Sequence, residues 1–386
     1  MLLLNPLNGR TLRPDGAHTI SDGVERYPCI DGIAFLRHGR DALREQALGA
    51  LDDGDAPRAC ALLLQDQDDY ARTPPPSLEA TGRLVAEVAR RACTLREAMD
   101  ALAYGPVATY FAHRTSTPTF LSALGLLDHY WRDPPLVLEL ACGIGWILRE
   151  VERRGAAVVG IDVVFSKLWL ARHFVTPQAQ LVCADVEAPL PLAPCDGALA
   201  LCHDAFYFMR DKPAVVAHMR RFAGPSGAVL IGHTHNSLAD PNQSGAPLAP
   251  AVYHALAPDA LVYDDADFTA EALGLAQARA KPADALGAAP ALSLAIGAPR
   301  DTDAPRFDWS RDARLRLNPL LKPDAARTLA PHWPDARFAA EYGAMDYLRA
   351  PVPTDTLLAA AGRGERSAAI ADLARRRVLI DLPTSW

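Results

Sequence analysis

The residues able to do chemistry in this chain lie mostly between positions 137 and 236. A hydrophobic run enters a glycine turn, Val137-Leu138-Glu139-Leu140-Ala141-Cys142-Gly143-Ile144-Gly145-Trp146, and Val158-Val159-Gly160-Ile161-Asp162 follows it. An acid at a strand end, small residues at Ala141, Gly143 and Gly145, and a second acid 17 residues beyond Gly145 describe a βαβ unit that holds a nucleoside. A dinucleotide fingerprint would put a third glycine at position 148, so that the helix start could receive pyrophosphate, and that position is Leu148. Glu139 also sets a negative charge where pyrophosphate would approach. The turn suits a cationic ligand instead. At Asp162, two acceptor oxygens and no donor suit a vicinal diol.

A second group of candidates follows the later strands. His203 comes after Asp196-Gly197-Ala198-Leu199-Ala200-Leu201-Cys202, and His233 and His235 sit in Gly232-His233-Thr234-His235-Asn236. Both places fall at the carboxyl edge of a parallel sheet, where ligands bind in open α/β folds. Imidazole titrates in the range a general base needs, so His203, His233 and His235 are the candidate bases, with Tyr207 and Asp204 as groups that orient acceptor or cofactor. Because His233 and His235 alternate along an extended segment, they share a face. A metal there would need a carboxylate or third histidine aimed at the same point. No metal is assigned from the sequence.

The glycine turn resembles motif I of the class I S-adenosylmethionine-dependent methyltransferases: a hydrophobic strand, Glu/Asp, then x-Gly/Ala-x-Gly-x-Gly. Glu139, Ala141, Gly143 and Gly145 fill every place. The resemblance extends through Asp162 at the second strand end, the helix Val163 to Arg172, and Asp185 after the strand Ala179 to Ala184. It continues to Gly224-Pro225-Ser226-Gly227 before the strand Ala228 to Gly232. It implies an α/β fold, a Rossmann-like sheet with helices on both faces, and S-adenosyl-L-methionine as cofactor. On the same ground Asp162 would accept the ribose hydroxyls and Asp185 would lie near the adenine amino group. Val186 and Cys202 would be further cofactor contacts.

Composition narrows the acceptor. The chain has 386 residues, 50% hydrophobic and 22% charged, which is globular and long enough for more than one unit. Its formal net charge of -7, with no block of Lys or Arg, disfavours a nucleic-acid partner. The seven cysteines form no C-x-x-C pair, and several fall on core strands, as expected in a reducing cytoplasm. No signal peptide or membrane span is expected. The richness in Ala, Pro and Arg reads as a GC-rich bacterial genome.

Four segments are expected. Residues 1–37 form a small β module with a hairpin at Asp31-Gly32. It resembles a zinc-ribbon family whose members accompany or activate methyltransferases, but the metal knuckle C-P-x-C is here Asn5-Pro6-Leu7-Asn8, and amides are poor zinc ligands. Residues 38–132 form a helical cap, with Tyr104, Tyr110, Phe111, His113, Arg114 and Phe120 as the side chains that could face a ligand. Residues 133–299 form the cofactor-binding core, with a loop insertion at 237–258 arching over the site. Residues 300–386 are a C-terminal extension, with Trp309, Trp333 and Trp386, an amphipathic helix over Ser367 to Arg377 and a strand over Val378 to Leu382.

The expected activity is methyl transfer from S-adenosyl-L-methionine to a hydroxyl or amine of a small molecule, in specialised metabolism, by a chain able to form a homodimer. RNA methylation, suggested by the ribbon-like opening, and a non-catalytic cofactor-binding or partner protein are the alternatives.

Overall fold

A computed structural model describes residues 1–68, 71, 73–240, 244–300, 313–343 and 345–386. Tyr70, Trp309 and part of the 237–258 insertion lie outside them.

An 11-stranded sheet organises the fold. Its strands are β1 (Arg13–Pro14), β2 (Thr19–Ser21), β3 (Arg26–Ile30), β4 (Ile33–Phe35), β5 (Leu136–Leu140), β6 (Ala157–Asp162), β7 (Gln180–Cys183), β8 (Leu199–His203), β9 (Ala228–His235), β10 (Leu261–Asp264) and β11 (Ala291–Ile296). They lie in the order β1-β2-β3-β4-β7-β6-β5-β8-β9-β11-β10. Strands β7, β6, β5, β8 and β9 run parallel, and β11 enters antiparallel between β9 and β10. The parallel strands read as near-continuous apolar runs because both sheet faces are covered; every residue of β5 and β8 is buried. This is the Rossmann-like α/β architecture expected, with its strand order reversing beside β5, where such sheets bind ligands.

The first 37 residues are hydrogen-bonded into that sheet. Asp31 and Gly32 both take positive φ (54° and 74°) to close the β3–β4 hairpin, and β4 then pairs in parallel with β7, Ile33 opposite Leu181. The Asn5-Pro6-Leu7-Asn8 knuckle is closed by hydrogen bonds: Nδ2 of Asn5 and Nδ2 of Asn8 each donate to Asp22 Oδ2 at 2.7 Å. Asn5 Oδ1 accepts from Leu7 N and from the Tyr27 hydroxyl.

Six helices follow: α1 (Asp41–Asp52), α2 (Ala56–Leu63), α3 (Leu78–Ala89), α4 (Leu95–Ala101), α5 (Pro106–His113) and α6 (Pro118–Tyr130). Thr94 and Glu97 form a reciprocal capping box on α4, while α5 and α6 open on proline, whose fixed φ suits a first helical turn. Helix α6 is buried from Thr119 to Tyr130.

The core helices are α7 (Trp146–Arg153), α8 (Phe165–Leu170), α9 (Lys212–Ala223), α10 (Pro250–Leu256) and α11 (Asp265–Ala272). Gly125 of α6 lets α11 approach, since a Cβ there would lie 2.2 Å from the Phe268 carbonyl oxygen. Helix α10 corrects the expectation of a loop across 237–258. Its Pro250 sits in the first turn, where the missing N–H costs nothing, and Tyr253 anchors it in the core.

The extension carries two small sheets and the helices α12 (Ala336–Tyr342), α13 (Asp355–Gly362) and α14 (Ala368–Arg375). It is fastened to the cap and core by polar contacts. Buried Arg377 donates to the Thr115 carbonyl and pairs with Glu150, Tyr347 donates to the Ser116 carbonyl, and Trp386 Nε1 donates to the Ala112 carbonyl.

Candidate active site

The turn after β5 is built from left-handed backbone that favours glycine. Ala141, Gly143 and Gly145 take φ of 54°, 56° and 82°. Alanine in that region is strained by about 1 kcal/mol, and glycine is not. Asp162, at the end of β6, holds the turn from below: Oδ2 accepts from Gly143 N and Oδ1 from Val164 N, both at 2.9 Å. Lys167 Nζ stands 3.8 Å from Asp162 Oδ1 and 3.2 Å from Asp68. The cap closes on the turn: a Cβ on Gly143 would lie 3.4 Å from the Phe111 ring of α5, and the Phe111 carbonyl accepts from Trp146 Nε1. Glu139, 3% exposed, faces the same side, with Oε2 buried and unbonded. Burial raises its carboxyl to about 8, outweighing the Arg114 charge.

A second cluster lies where β8 and β9 end side by side. Asp204 follows β8 and gathers three donors: the Tyr110 hydroxyl at 2.7 Å, the Tyr207 hydroxyl at 2.9 Å and the Arg114 guanidinium at 3.0 Å. Burial pushes its carboxyl up, yet Arg114 and His233 prevail and hold it down at about 2. Tyr110 moves the other way, raised well above a phenol's ordinary value by burial.

Across from Asp204, His233 occupies a β-bulge. The β11–β9 register slips there, Leu292 facing Thr234 and Leu294 facing Ile231, and His233 takes φ 49°. Such bulges re-aim side chains beside active sites. Its Nδ1 donates to Asp265 Oδ2 at 2.7 Å, and Asp265 is fixed by the Ser293 hydroxyl at 2.7 Å and His233 N at 3.1 Å. Burial opposes a charge on His233, but the Asp265 carboxylate outweighs it and raises the imidazole above its usual value. His233 Nε2 then points toward Asp204, 4.0 Å from Oδ1. His235 stacks on Tyr207, ring centroids 3.7 Å apart, and burial lowers its basicity.

The sequence candidates divide accordingly. Tyr207, His233 and His235 meet around Asp204, joined by Tyr110 and Arg114 from the cap. His203 lies beside His233, ring centroids 6.1 Å apart, but is tied elsewhere: 4% exposed, its Nε2 donates to the Thr119 carbonyl at 2.8 Å, and burial lowers it to about 4. Asp185 accepts from Glu187 N in the loop after β7, next to buried Val186. Cys202 is fully buried between strands, with a thiol raised by that burial. Asp265, Ser293 and Lys167 were not singled out. They are ordinary acidic, hydroxyl and basic residues at element ends, and only the sheet order brings the first two under His233.

Residues 138–231 match the family model described as a methyltransferase domain. S-adenosyl-L-methionine is the methyl donor of that family, as the turn from Glu139 to Gly145 leads one to expect.

Among solved structures the chain aligns with a TehB-like SAM-dependent methyltransferase from Corynebacterium glutamicum at 16% identity, over 46% of this chain and 86% of that one, with a TM-score of 0.35. It aligns with the plantazolicin methyltransferase BpumL, in complex with a pentazolic desmethylPZN analog and SAH, at 15% identity over 55% and 96% of the two chains, TM-score 0.37. A third alignment is with the Haloferax volcanii complex of the Trm112 methyltransferase activator and a putative methyltransferase, at 15% identity over 55% and 100%, TM-score 0.37. No curated protein matches the chain significantly.

Proposed function

We propose that this chain transfers the methyl group of S-adenosyl-L-methionine to a hydroxyl or amine of a small molecule. The observation that carries the reading is the adjacency of two differently built half-sites along one sheet edge. One is a small-residue turn backed by Glu139 and Asp162. The other is a polar chamber of Asp204, His233, His235, Tyr110 and Tyr207 at the ends of the neighbouring strands. In this reading the turn at Ala141, Gly143 and Gly145 receives the cofactor, Asp162 takes its ribose diol, and Asp185 with Val186 borders the adenine. Glu139, once ionised, favours the sulfonium charge.

Methyl transfer is an in-line displacement. The acceptor oxygen or nitrogen forms a bond to the methyl carbon as the carbon–sulfur bond breaks onto sulfur, leaving a neutral thioether. The acceptor's proton leaves on the Asp204–His233 side. Alignment and exclusion of water supply most of the rate, with proton removal adding roughly a hundredfold or more. His233, oriented by Asp265, is the histidine suited to that role; His203 is buried, with its acceptor Nδ1 packed against Gly232. The net charge of -7 supports a small acceptor over RNA.

The test is transfer of label from methyl-labelled S-adenosyl-L-methionine to a panel of small hydroxyl and amine compounds, with bulk RNA in parallel. Label in a small-molecule product is expected. Label in RNA alone would replace the acceptor class, and failure to bind the cofactor would overturn the reading.

A further inference from the structure

We propose that Asp204, His233 and His235 together bind one divalent transition-metal cation of the zinc type. The proposal deepens the methyl-transfer reading, on which its chemical use rests, although binding itself does not require it.

One carboxylate oxygen of Asp204 and one ring nitrogen from each histidine lie within 4.8 Å of one another. Around a tetrahedral dication with ligands at about 2.1 Å, donor atoms sit roughly 3.4 Å apart, so small side-chain rotations would close the set. Two features point to a ligand in place of a simple ion pair. First, His233 Nε2 and Asp204 Oδ1 stand 4.0 Å apart, too far to bond directly, while everything behind them is fixed. Asp265 grips the opposite ring nitrogen of His233 and is itself held by Ser293, the carboxylate–histidine arrangement that orients metal-binding imidazoles. Second, Nδ1 of His235 is buried with no hydrogen-bond partner. An ion pair between Asp204 and His233 leaves that nitrogen unused.

The donor set selects the metal class. Two imidazoles and one carboxylate suit zinc and its first-row neighbours, whereas magnesium and calcium prefer oxygen. Three protein ligands leave a position open; a hydroxyl acceptor bound there would be acidified, passing its proton to solvent, before attacking the methyl carbon, and His233 would then serve as a ligand in place of the base.

The experiment uses the tag-free full-length chain, stripped with chelator and titrated with Co2+ by visible absorption. Zn2+ then competes against a chromophoric chelator. One Co2+ per chain with ligand-field bands, displaced by Zn2+, is expected. His235→Ala should weaken binding at least tenfold, and Asp265→Asn, a positioning change, by 10- to 100-fold in the usual range for such partners. Absence of the bands, or equal uptake by wild type and the His235→Ala and His235→Gln variants, would mean an adventitious ion only and would overturn the proposal. S-adenosylhomocysteine binding measured on the same samples separates the two readings. Metal uptake without cofactor uptake contradicts the methyltransferase reading alone, and the reverse contradicts the metal site alone.

Discussion

Gly232 and His203 fit against each other so closely that a Cβ on Gly232 would lie 2.2 Å from His203 Nδ1. The two residues face each other across β8 and β9, and the imidazole fills the space a side chain would take. Gly232→Ala is therefore expected to destabilise the fold by about 1–3 kcal/mol, the usual cost of overpacking a buried contact. Chemical denaturation of the variant measures it; unchanged stability would mean that His203 is free to move.

The two histidines at this edge should behave differently on truncation. His203→Ala leaves the Thr119 carbonyl without its donor and opens a cavity, so its main effect is a stability loss of about 2–4 kcal/mol. His233→Ala should lower turnover about a hundredfold or more while leaving affinity for S-adenosylhomocysteine within twofold. Equal loss of turnover at equal stability in both variants would remove the distinction.

Glu139 should give the protein a pH signature. Burial holds its carboxyl up at about 8, so between its ordinary value of 4.5 and that point the folded chain keeps a proton that the unfolded chain has released. The stability from this group is full at low pH and falls as pH rises through the window. Glu139→Gln should flatten that slope in denaturation experiments run from pH 5 to pH 8.5. The ionised carboxylate also favours a sulfonium over a neutral thioether. The affinity ratio of S-adenosyl-L-methionine to S-adenosylhomocysteine should thus rise severalfold over the same range, and a ratio independent of pH would place Glu139 away from the sulfur.

Trp386 connects the far end of the chain to the turn after β5. Its Nε1 donates to Ala112 at 3.1 Å, its ring meets His113, and the neighbouring Ser385 carbonyl accepts from Leu95 N. These contacts brace α4 and α5, and α5 carries Phe111 onto Gly143. Trp386→Ala should cost about 2–4 kcal/mol of stability and weaken cofactor binding about tenfold. A thermal-shift and calorimetric comparison checks both, and intact cofactor affinity would show that the brace does not reach the turn.

Much of the cofactor half was legible because its constraints are local. The left-handed backbone at Gly143 and Gly145 favours glycine, and the apolar runs of β5, β6, β7 and β8 announce buried parallel strands. The Asp31-Gly32 hairpin was readable for the same reason. The acceptor half was less so. His233 and His235 were visible as alternating residues, but the partnership of His233 with Asp265 depends on β11 entering antiparallel beside β9, a long-range fact with no local trace. Helix α10 was hidden because Pro250 reads equally as a break and as a first helical turn. The pairing of β4 with β7 joins residues far apart in sequence, so a segment that reads as a separate module is in fact part of the sheet.

The most direct test of the account is calorimetric titration of the full-length protein with S-adenosylhomocysteine, beside the Asp162→Ala variant. A single site per chain, weakened at least tenfold in the variant, is the predicted result. No binding to the wild type, or equal binding to both, would contradict it.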